Sequence, residues 1–165
     1  MCRQCVKRQR QGAHLFGNSN DDALHADGKA AVLDGSVRVL QSYEGIEGRT
    51  IEIAGGNVSV ISSDDGLNGT VTSGTGITIS GGTLYVLAGG DGADANSQTS
   101  YGGILFSGGY SVIISTGKSD SSIDSERGYK YSGGYVWESG FPAVWAVRLP
   151  IARALLPMGR RQHFP

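Results

Sequence analysis

The residues best suited to chemistry lie in an acidic turn that recurs along the chain. The turn reads SYEGIEG over residues 42–48 and SDDGLNG over residues 63–69. Each copy carries one oxygen-bearing side chain at its first acidic position and another three residues later, as Glu44 and Glu47 do. Such oxygens are hard ligands, and Ca²⁺ takes about six to eight of them with flexible geometry. The turn therefore indicates a structural corner, a cation site, or both.

Further copies of the turn fall at DALH (22–25), DGAD (91–94) and, with a weaker match, SSID (121–124). If the copies stack, equivalent positions form columns. We expect the first-position column to hold Asp22, Glu44, Asp65, Asp91 and Ser121, and the fourth-position column to hold His25, Glu47, Asn68, Asp94 and Asp124. Asp21, Asp27 and Asp64 add flanking acids.

The segments between these turns contain a repeat of their own. Five of them carry a short strand pattern, a two-residue turn and a second strand pattern: AVLDGSVRV, IEIAGGNVSV, ITISGGTLYV, ILFSGGYSVI and YKYSGGYVW. The turns recur every 21 to 27 residues, and all contain glycine. This period is typical of solenoid coils and too short for pairs of helices. The 27 glycines of the 165-residue chain, about twice the usual ~7% share, suit such corners.

The strands alternate between apolar and polar residues. Ile51 and Ile53 flank Glu52, and Leu84 and Val86 flank Tyr85. Only one face is apolar, so each coil must pack against coils above and below it, about 4.8 Å away. The pattern predicts an all-β fold, a parallel β-helix of about five coils. Within it, the sequence GGYSVII predicts a bulge that turns Val112 and Ile114 inward.

Stacked carboxylates about 4.8 Å apart repel one another by about 1 kcal/mol even at water-like screening. Protonation could relieve this repulsion, but Ca²⁺ does so without raising the pKa of the acids. The alternative is that Asp, Asn and Gly here are ordinary turn residues. The predicted metal ligands are Asp22, Glu44, Glu47, Asp64, Asp65, Asn68, Asp91, Asp94 and Asp124.

The charge and the apolar content of the chain argue against nucleic-acid binding and against a membrane-spanning segment. The net charge of −1 gives no overall basic field for nucleic acid. No apolar run is long enough to span a membrane, and the basic start is not followed by an apolar stretch of signal-peptide length. Cys2 and Cys5 form a lone C-x-x-C pair, which could be half of a metal site or a redox pair. Because no second Cys pair and no strand-then-helix context accompanies it, we favour two free thiols.

We divide the chain into three parts. Residues 1–18 are expected to be an irregular basic segment, and residues 19–139 the β-helix. Residues 140–165 are apolar and basic and lack the repeat, as a foreign end or a change of reading frame would produce. Both ends are expected to leave strand edges uncapped. Glu138 falls where an inward small or apolar residue is expected.

The stretches DDALHADG, SYEGIEGRTIEIAGGNVSVISSDDGLN and ISGGTLYVLAGGDGADAN together resemble a family of bacterial carbohydrate-binding β-helix proteins with a polysaccharide-lyase-like fold. The resemblance covers about residues 19–139. It implies a right-handed parallel β-helix, bound calcium, and affinity for plant cell-wall polysaccharides, including acidic pectic chains and cellulose. It also implies a secreted or cell-surface location.

Three classes of function remain open at this point: a binder, an enzyme and a structural protein. A carbohydrate binder would use outward aromatic rings, for which the candidates are Tyr85, Tyr101, Tyr110 and Trp137. A calcium-dependent lyase acting by β-elimination would need a cationic base, for which the candidates are Arg49, Arg127 and Lys130. Hydrolysis by two carboxylates is a further catalytic possibility. A structural surface protein would have the same fold without affinity for glycans.

Overall fold

The computed structural model describes residues 14–98, 103–126 and 128–140, and the backbone of residues 146–148. These residues form twelve β-strands and no helix. The strands are β1 His14–Asn18, β2 Leu24–Val32, β3 Ser36–Gln41, β4 Ile46–Ile53, β5 Asn57–Ile61, β6 Leu67–Gly69, β7 Ile77–Ala88, β8 Ala93–Ala95, β9 Ile104–Ser115, β10 Ile123–Ser125, β11 Tyr129–Ser139 and β12 Ala146–Arg148. In the described part of the chain, no helix has the length and apolarity that a membrane span requires.

The strands stack in parallel register and form a β-solenoid of about five turns, as the repeat predicts. Three ladders make up its sides. The first ladder contains residues 24–26, 46–48, 67–69, 93–95 and 123–125. The second contains residues 29–32, 50–53, 77–79, 104–106 and 129–131. The third contains β1, β3 and β5, followed by residues 83–88, 110–115 and 135–139.

The interior is a column of aliphatic side chains from all three ladders. Ile51, Ile53, Ile77, Val86 and Leu67 are each 2% exposed or less, and the polar residues between them face outward. Because each coil buries its apolar face only against its neighbours, the core is continuous along the solenoid axis. The predicted alternation of Ile51 and Ile53 with Glu52 is confirmed.

Glycine pairs form the corner between the second and third ladders. Gly56 has a φ of 76°, and a Cβ atom there would lie 2.6 Å from the carbonyl oxygen of Gly35 in the preceding coil. A residue with a side chain would therefore meet both backbone strain and a clash with stacked backbone. The same corner recurs at Gly35, Gly82, Gly109 and Gly134, all with positive φ.

The predicted bulge in GGYSVII is wrong. Residues 110–115 pair in unbroken register with residues 83–88, so Ser111 lies level with Leu84 and Ile113 lies level with Val86. Ser111 and Ile113 are buried, whereas Val112 and Ile114 face outward. The register shifts lie instead at the glycine corner, between Ile79 and Thr83. The glycine corner therefore determines the register of residues 110–115, even though this register buries Ser111 in the core.

The two ends differ from expectation in different ways. β1 begins at His14, inside the segment that we expected to be irregular, and pairs with β3. β12 pairs antiparallel with β11, so part of the edge of the last coil is covered rather than uncapped. Glu138 is 8% exposed and lies level with Ile113, so its inward position is confirmed. At the opposite end, a cavity of ≈ 100 Å³ opens between Leu15, Leu24 and Val32.

Candidate cation-binding ladder and aromatic face

The fourth positions of the acidic turns stack on the outer side of the first ladder. His25 pairs in register with Glu47, Glu47 with Asn68, Asn68 with Asp94, and Asp94 with Asp124. This is the column expected from the sequence, and we call these five residues the acidic column. Its members alternate with buried residues such as Ile46 and Leu67, which anchor the strands in the core.

The first positions stack at the corner that leads into the first ladder. Hydrogen bonds join successive corners: the Gly45 amide donates to the Asp65 carbonyl at 2.9 Å, and the Gly66 amide donates to the Asp91 carbonyl at 2.9 Å. Glycine is required after the acid because a Cβ at Gly66 would lie 2.6 Å from the Gly92 carbonyl oxygen. The acid-glycine pair is therefore partly a consequence of stacking.

Asp22, His25 and Glu47 form the first cluster that could hold a metal ion, with ligand atoms within 4.8 Å of one another. The Nδ1 atom of His25 lies 3.0 Å from Asp22 Oδ2 and 2.5 Å from Glu47 Oε2. Desolvation acts to lower the pKa of His25, but hydrogen bonds to Glu47 and Asp22 outweigh it and raise the pKa above 6.5. His25, which the sequence suggested only as a cap of the column, is thus part of this cluster.

Asp91, Asp94 and Asp124 form the second such cluster. Burial, followed by the charges of Asp65 and Asp124, raises the pKa of Asp94 to about 7. Burial also raises the pKa of Asp91, although its Oδ1 accepts a 2.5 Å hydrogen bond from the Ser121 amide. At neutral pH this cluster is therefore a concentration of acids that favours either a proton or a cation.

The middle of the acidic column contains an amide instead of an acid. The Nδ2 atom of Asn68 lies 3.1 Å from both carboxylate oxygens of Glu44, to which it donates. Its Oδ1 atom is buried and has no hydrogen-bond partner in the part of the chain that the structure describes. Buried polar atoms are normally satisfied, so an unpaired oxygen beside carboxylates is a suitable neutral ligand for a cation.

Asp65 stands between the two clusters at the corner. Its Oδ1 accepts a 2.8 Å hydrogen bond from the Asp91 amide, which supports the next corner. Burial, together with the charges of Asp64 and Asp91, raises its pKa to about 6. Burial likewise raises the pKa of Glu44 and of Glu47. The acids of the turns therefore both support the corners through hydrogen bonds and form the two clusters. The turn can be a structural corner and a cation site at once.

The aromatic candidates lie on a different side of the solenoid. Tyr85 and Trp137 both project from the outer side of the third ladder, each in register with Val112. Tyr110 lies in the neighbouring column, in register with Tyr135, and their rings stack with centroids 5.0 Å apart and planes 3° apart. We call the outer side of the third ladder the aromatic face. Tyr101 lies outside the described residues.

The cationic candidates for β-elimination are not brought together. Arg49 lies exposed at the corner between the first and second ladders. Lys130 lies exposed on the second ladder, three coils further along, which is about 14 Å away along the axis. Arg127 lies outside the described residues. The separation of the two described cations does not favour the lyase alternative.

The candidates predicted from the sequence do not include two residues of the aromatic face, Tyr135 and Arg38. The signal for Tyr135 was present, because GGY occurs at both residues 108–110 and 133–135 and places each tyrosine directly after a corner. Arg38 lies in the same outward column as Tyr85, which only the register reveals.

Comparisons with protein-family models, with curated proteins and with solved structures found no match. The functional argument for this chain therefore rests on the geometry of these two surfaces.

Proposed function

We propose that the protein is a non-catalytic, calcium-dependent binder of cell-wall polysaccharide, either acidic pectic chains such as polygalacturonate or cellulose. The observation that carries this proposal is the shared outward column of Tyr85, Val112 and Trp137, with Tyr110 and Tyr135 beside it. An exported or cell-surface location belongs to the same proposal, and the family resemblance described above agrees with it.

The aromatic face has the chemistry that a sugar chain requires. Sugar rings present apolar C–H faces together with hydroxyl edges, and aromatic side chains combine apolar area with polar tips. Tyr85 is 37% exposed, Tyr110 61% and Tyr135 43%, a concentration of large apolar side chains that is unusual on a free surface. An open depression of ≈ 300 Å³ between Tyr85, Tyr110 and Trp137 gives a ligand room to lie against these rings.

Ca²⁺ suits the donors of the acidic column and of the corner acids beside it. Asp22 and Glu47 would supply carboxylate oxygens at one end, Asp91, Asp94 and Asp124 would supply them at the other, and Asn68 Oδ1 offers a neutral oxygen between. A bound Ca²⁺ would supply positive charge that neutralises the stacked acids, and so would stabilise the solenoid that presents the aromatic face. Flexible oxygen coordination favours Ca²⁺ over Mg²⁺, which demands a stricter octahedral geometry.

Calorimetric titration of the full chain tests the proposal. Polygalacturonate and a soluble cello-oligosaccharide are titrated in Ca²⁺ and then in chelator, with the fold followed by circular dichroism. We expect binding in Ca²⁺, and a loss of about fivefold or more in affinity for Trp137→Ala and for Tyr85→Ala. Leu33→Ala is the matched control, because Leu33 is 47% exposed but lies outside both the aromatic face and the acidic turns.

Three results would count against the proposal. If an intact fold binds neither glycan in Ca²⁺, the structural-protein alternative is favoured. If Leu33→Ala weakens binding as much as Trp137→Ala does, the ligand does not lie on the aromatic face. Release of unsaturated uronate, which absorbs in the ultraviolet, would show a lyase instead.

A further inference from the structure

Arg38 shares an outward column with the aromatic side chains. Register pairs Phe16 with Arg38, Arg38 with Ser59, and Ser59 with Tyr85. The same column continues through Val112 to Trp137. Arg38, Tyr85 and Trp137 therefore occupy every second coil, with the smaller side chains of Ser59 and Val112 between them.

The guanidinium of Arg38 is positioned but not neutralised. It lies 5.8 Å from the ring centroid of Phe16, which holds a planar cation over an aromatic face. None of the ion pairs formed by the described residues includes Arg38. Its side chain is exposed, so its N–H donors are open to a ligand.

The aromatic face is otherwise free of charge in the described residues. Its outward positions carry no Asp or Glu, because Glu138 on the last strand points inward. The acidic column occupies the first ladder, on another side of the solenoid. An anionic chain is therefore repelled by the acidic column unless a cation intervenes, whereas on the aromatic face it meets an uncompensated arginine.

The spacing along this column suits an extended polymer. Side chains two coils apart are separated by about 10 Å along the axis. A sugar residue in an extended 1,4-linked chain is about as long as one coil is high, so every second residue can meet one of these side chains. Arginine recognises carboxylate through two parallel hydrogen bonds, which lysine cannot reproduce.

The size of the surface favours a glycan over a second copy of the chain. Six strands of the third ladder, about 4.8 Å apart and five to six residues long, present roughly 500 Å². A stable protein–protein interface buries about 800 Å² on each partner. A single polysaccharide chain needs only a narrow strip of this face.

We infer that Arg38 is a specificity-determining residue that binds the carboxylate of a uronate residue while the chain lies along the aromatic face, parallel to the solenoid axis. This inference rests on the proposed function and assigns acidic-chain recognition to a protein cation on the third ladder. Uronate binding at this position needs no bridging metal ion. Neutral chains use the aromatic side chains alone.

The test compares Arg38→Gln with Lys130→Gln, a matched loss of an exposed cation on the second ladder. Each full-length variant is titrated with polygalacturonate, with its methyl ester and with a cello-oligosaccharide, and thermal unfolding verifies the fold. For Arg38→Gln we expect about tenfold or greater loss of affinity for polygalacturonate and no change for the two neutral chains. Arg38→Lys should restore affinity only in part, and Lys130→Gln should leave all three unchanged.

The outcomes separate the inference from the proposed function. If Arg38→Gln binds polygalacturonate as wild type does, while wild type binds the glycans, the inference is overturned and the proposed function stands. Equal loss for acidic and neutral chains also overturns it, because Arg38 would then contribute general packing. If wild type binds none of the three chains, the proposed function fails and the inference fails with it.

Discussion

Asp94 and Asp124 occupy the same position in successive coils and face outward side by side from adjacent parallel strands. Together with Asp91, their carboxylates approach within 4.8 Å. Burial and the neighbouring charges, including that of Asp124, raise the pKa of Asp94 to about 7. The stacking that builds the fold thus creates a local electrostatic cost, and the first two predictions concern how that cost is relieved.

In chelator, the free energy of unfolding should fall as the pH rises from about 4 to 7. The pKa of Asp94 is about 7 and that of Asp65 about 6 in the folded protein, against 3.8 as their ordinary value. The folded state therefore binds more protons than the unfolded state across this window, and stability decreases with pH there. The raised pKa of His25 acts in the same direction, because its stabilising charge is lost as the pH rises. Urea unfolding at a series of pH values measures the slope.

The matched variant for this prediction is Asp94→Asn, which keeps the shape and removes the charge. Its unfolding free energy should depend less on pH than that of wild type. A wild-type protein whose stability rises between pH 4 and 7 would show that the acidic column does not retain protons in the folded state.

Ca²⁺ should raise the midpoint of thermal unfolding at pH 7.5, and chelator should reverse the effect. A ligand that binds only the folded state stabilises it by mass action, by about 2.7 kcal/mol at one hundred times its dissociation constant. Asp94→Asn and Asp124→Asn should each reduce the shift, because both residues belong to the second cluster. Differential scanning calorimetry over a range of Ca²⁺ concentrations gives the measurement.

Asp34→Asn serves as the control for the calcium prediction, since Asp34 lies at a glycine corner and outside both clusters. An equal loss of the calcium shift in that variant would point to general screening of acidic charge. Unchanged midpoints for wild type at millimolar Ca²⁺ would remove the cation from the proposal.

Gly56→Ala should destabilise the protein more than Gly74→Ala does. Both glycines have positive φ, so both substitutions incur backbone strain of about 1–3 kcal/mol. At Gly56 the new Cβ would also lie 2.6 Å from the Gly35 carbonyl oxygen, whereas at Gly74 no atom of the described residues lies within 4 Å of it. Urea unfolding of the two variants measures the difference, which is the cost of the close approach between coils. Equal losses would show that the corner relaxes freely.

Ser111→Ala should stabilise the protein, whereas Ser115→Ala should destabilise it. Both serines are buried. Among the described residues Ser111 Oγ has no hydrogen-bond partner, whereas Ser115 Oγ donates to the Gly90 carbonyl at 2.7 Å. Removing an unsatisfied buried hydroxyl should gain about 1 kcal/mol, and removing a satisfied one should cost about the same. The signs of the two changes in unfolding free energy are the test. A loss of stability in Ser111→Ala would indicate that its hydroxyl is satisfied in solution.

Much of the fold could be predicted because stacking imposes the same positions on every coil. Ile51 and Ile53 identify the inward side, and the glycine corners give the period. The register of residues 110–115 could not be read from hydrophobicity, because Val112 and Ile114 are apolar yet face outward. Aligning Gly109 with Gly82 would have found it, since the corner is the more rigid constraint.

The acidic column could be predicted for the same reason, but its division into clusters could not. Whether Asp94 groups with Asp124 or with Asn68 depends on side-chain conformation, which strand spacing does not determine. The separation of the acidic column from the aromatic face depends on how far the chain turns at each corner. The place of Arg38 in the same column as Tyr85 follows only from the register of the paired strands, which the sequence does not give.

The antiparallel pairing of β12 with β11 makes the two ends of the third ladder unlike. At β1 the described edge keeps the direction shared by all the parallel coils. A strand added there can continue the same register, whereas one added beyond β12 would have to follow a reversed template. The third ladder therefore has a polarity for growth: templated addition, whether in folding or in aggregation, can proceed in register from one end and is interrupted at the other.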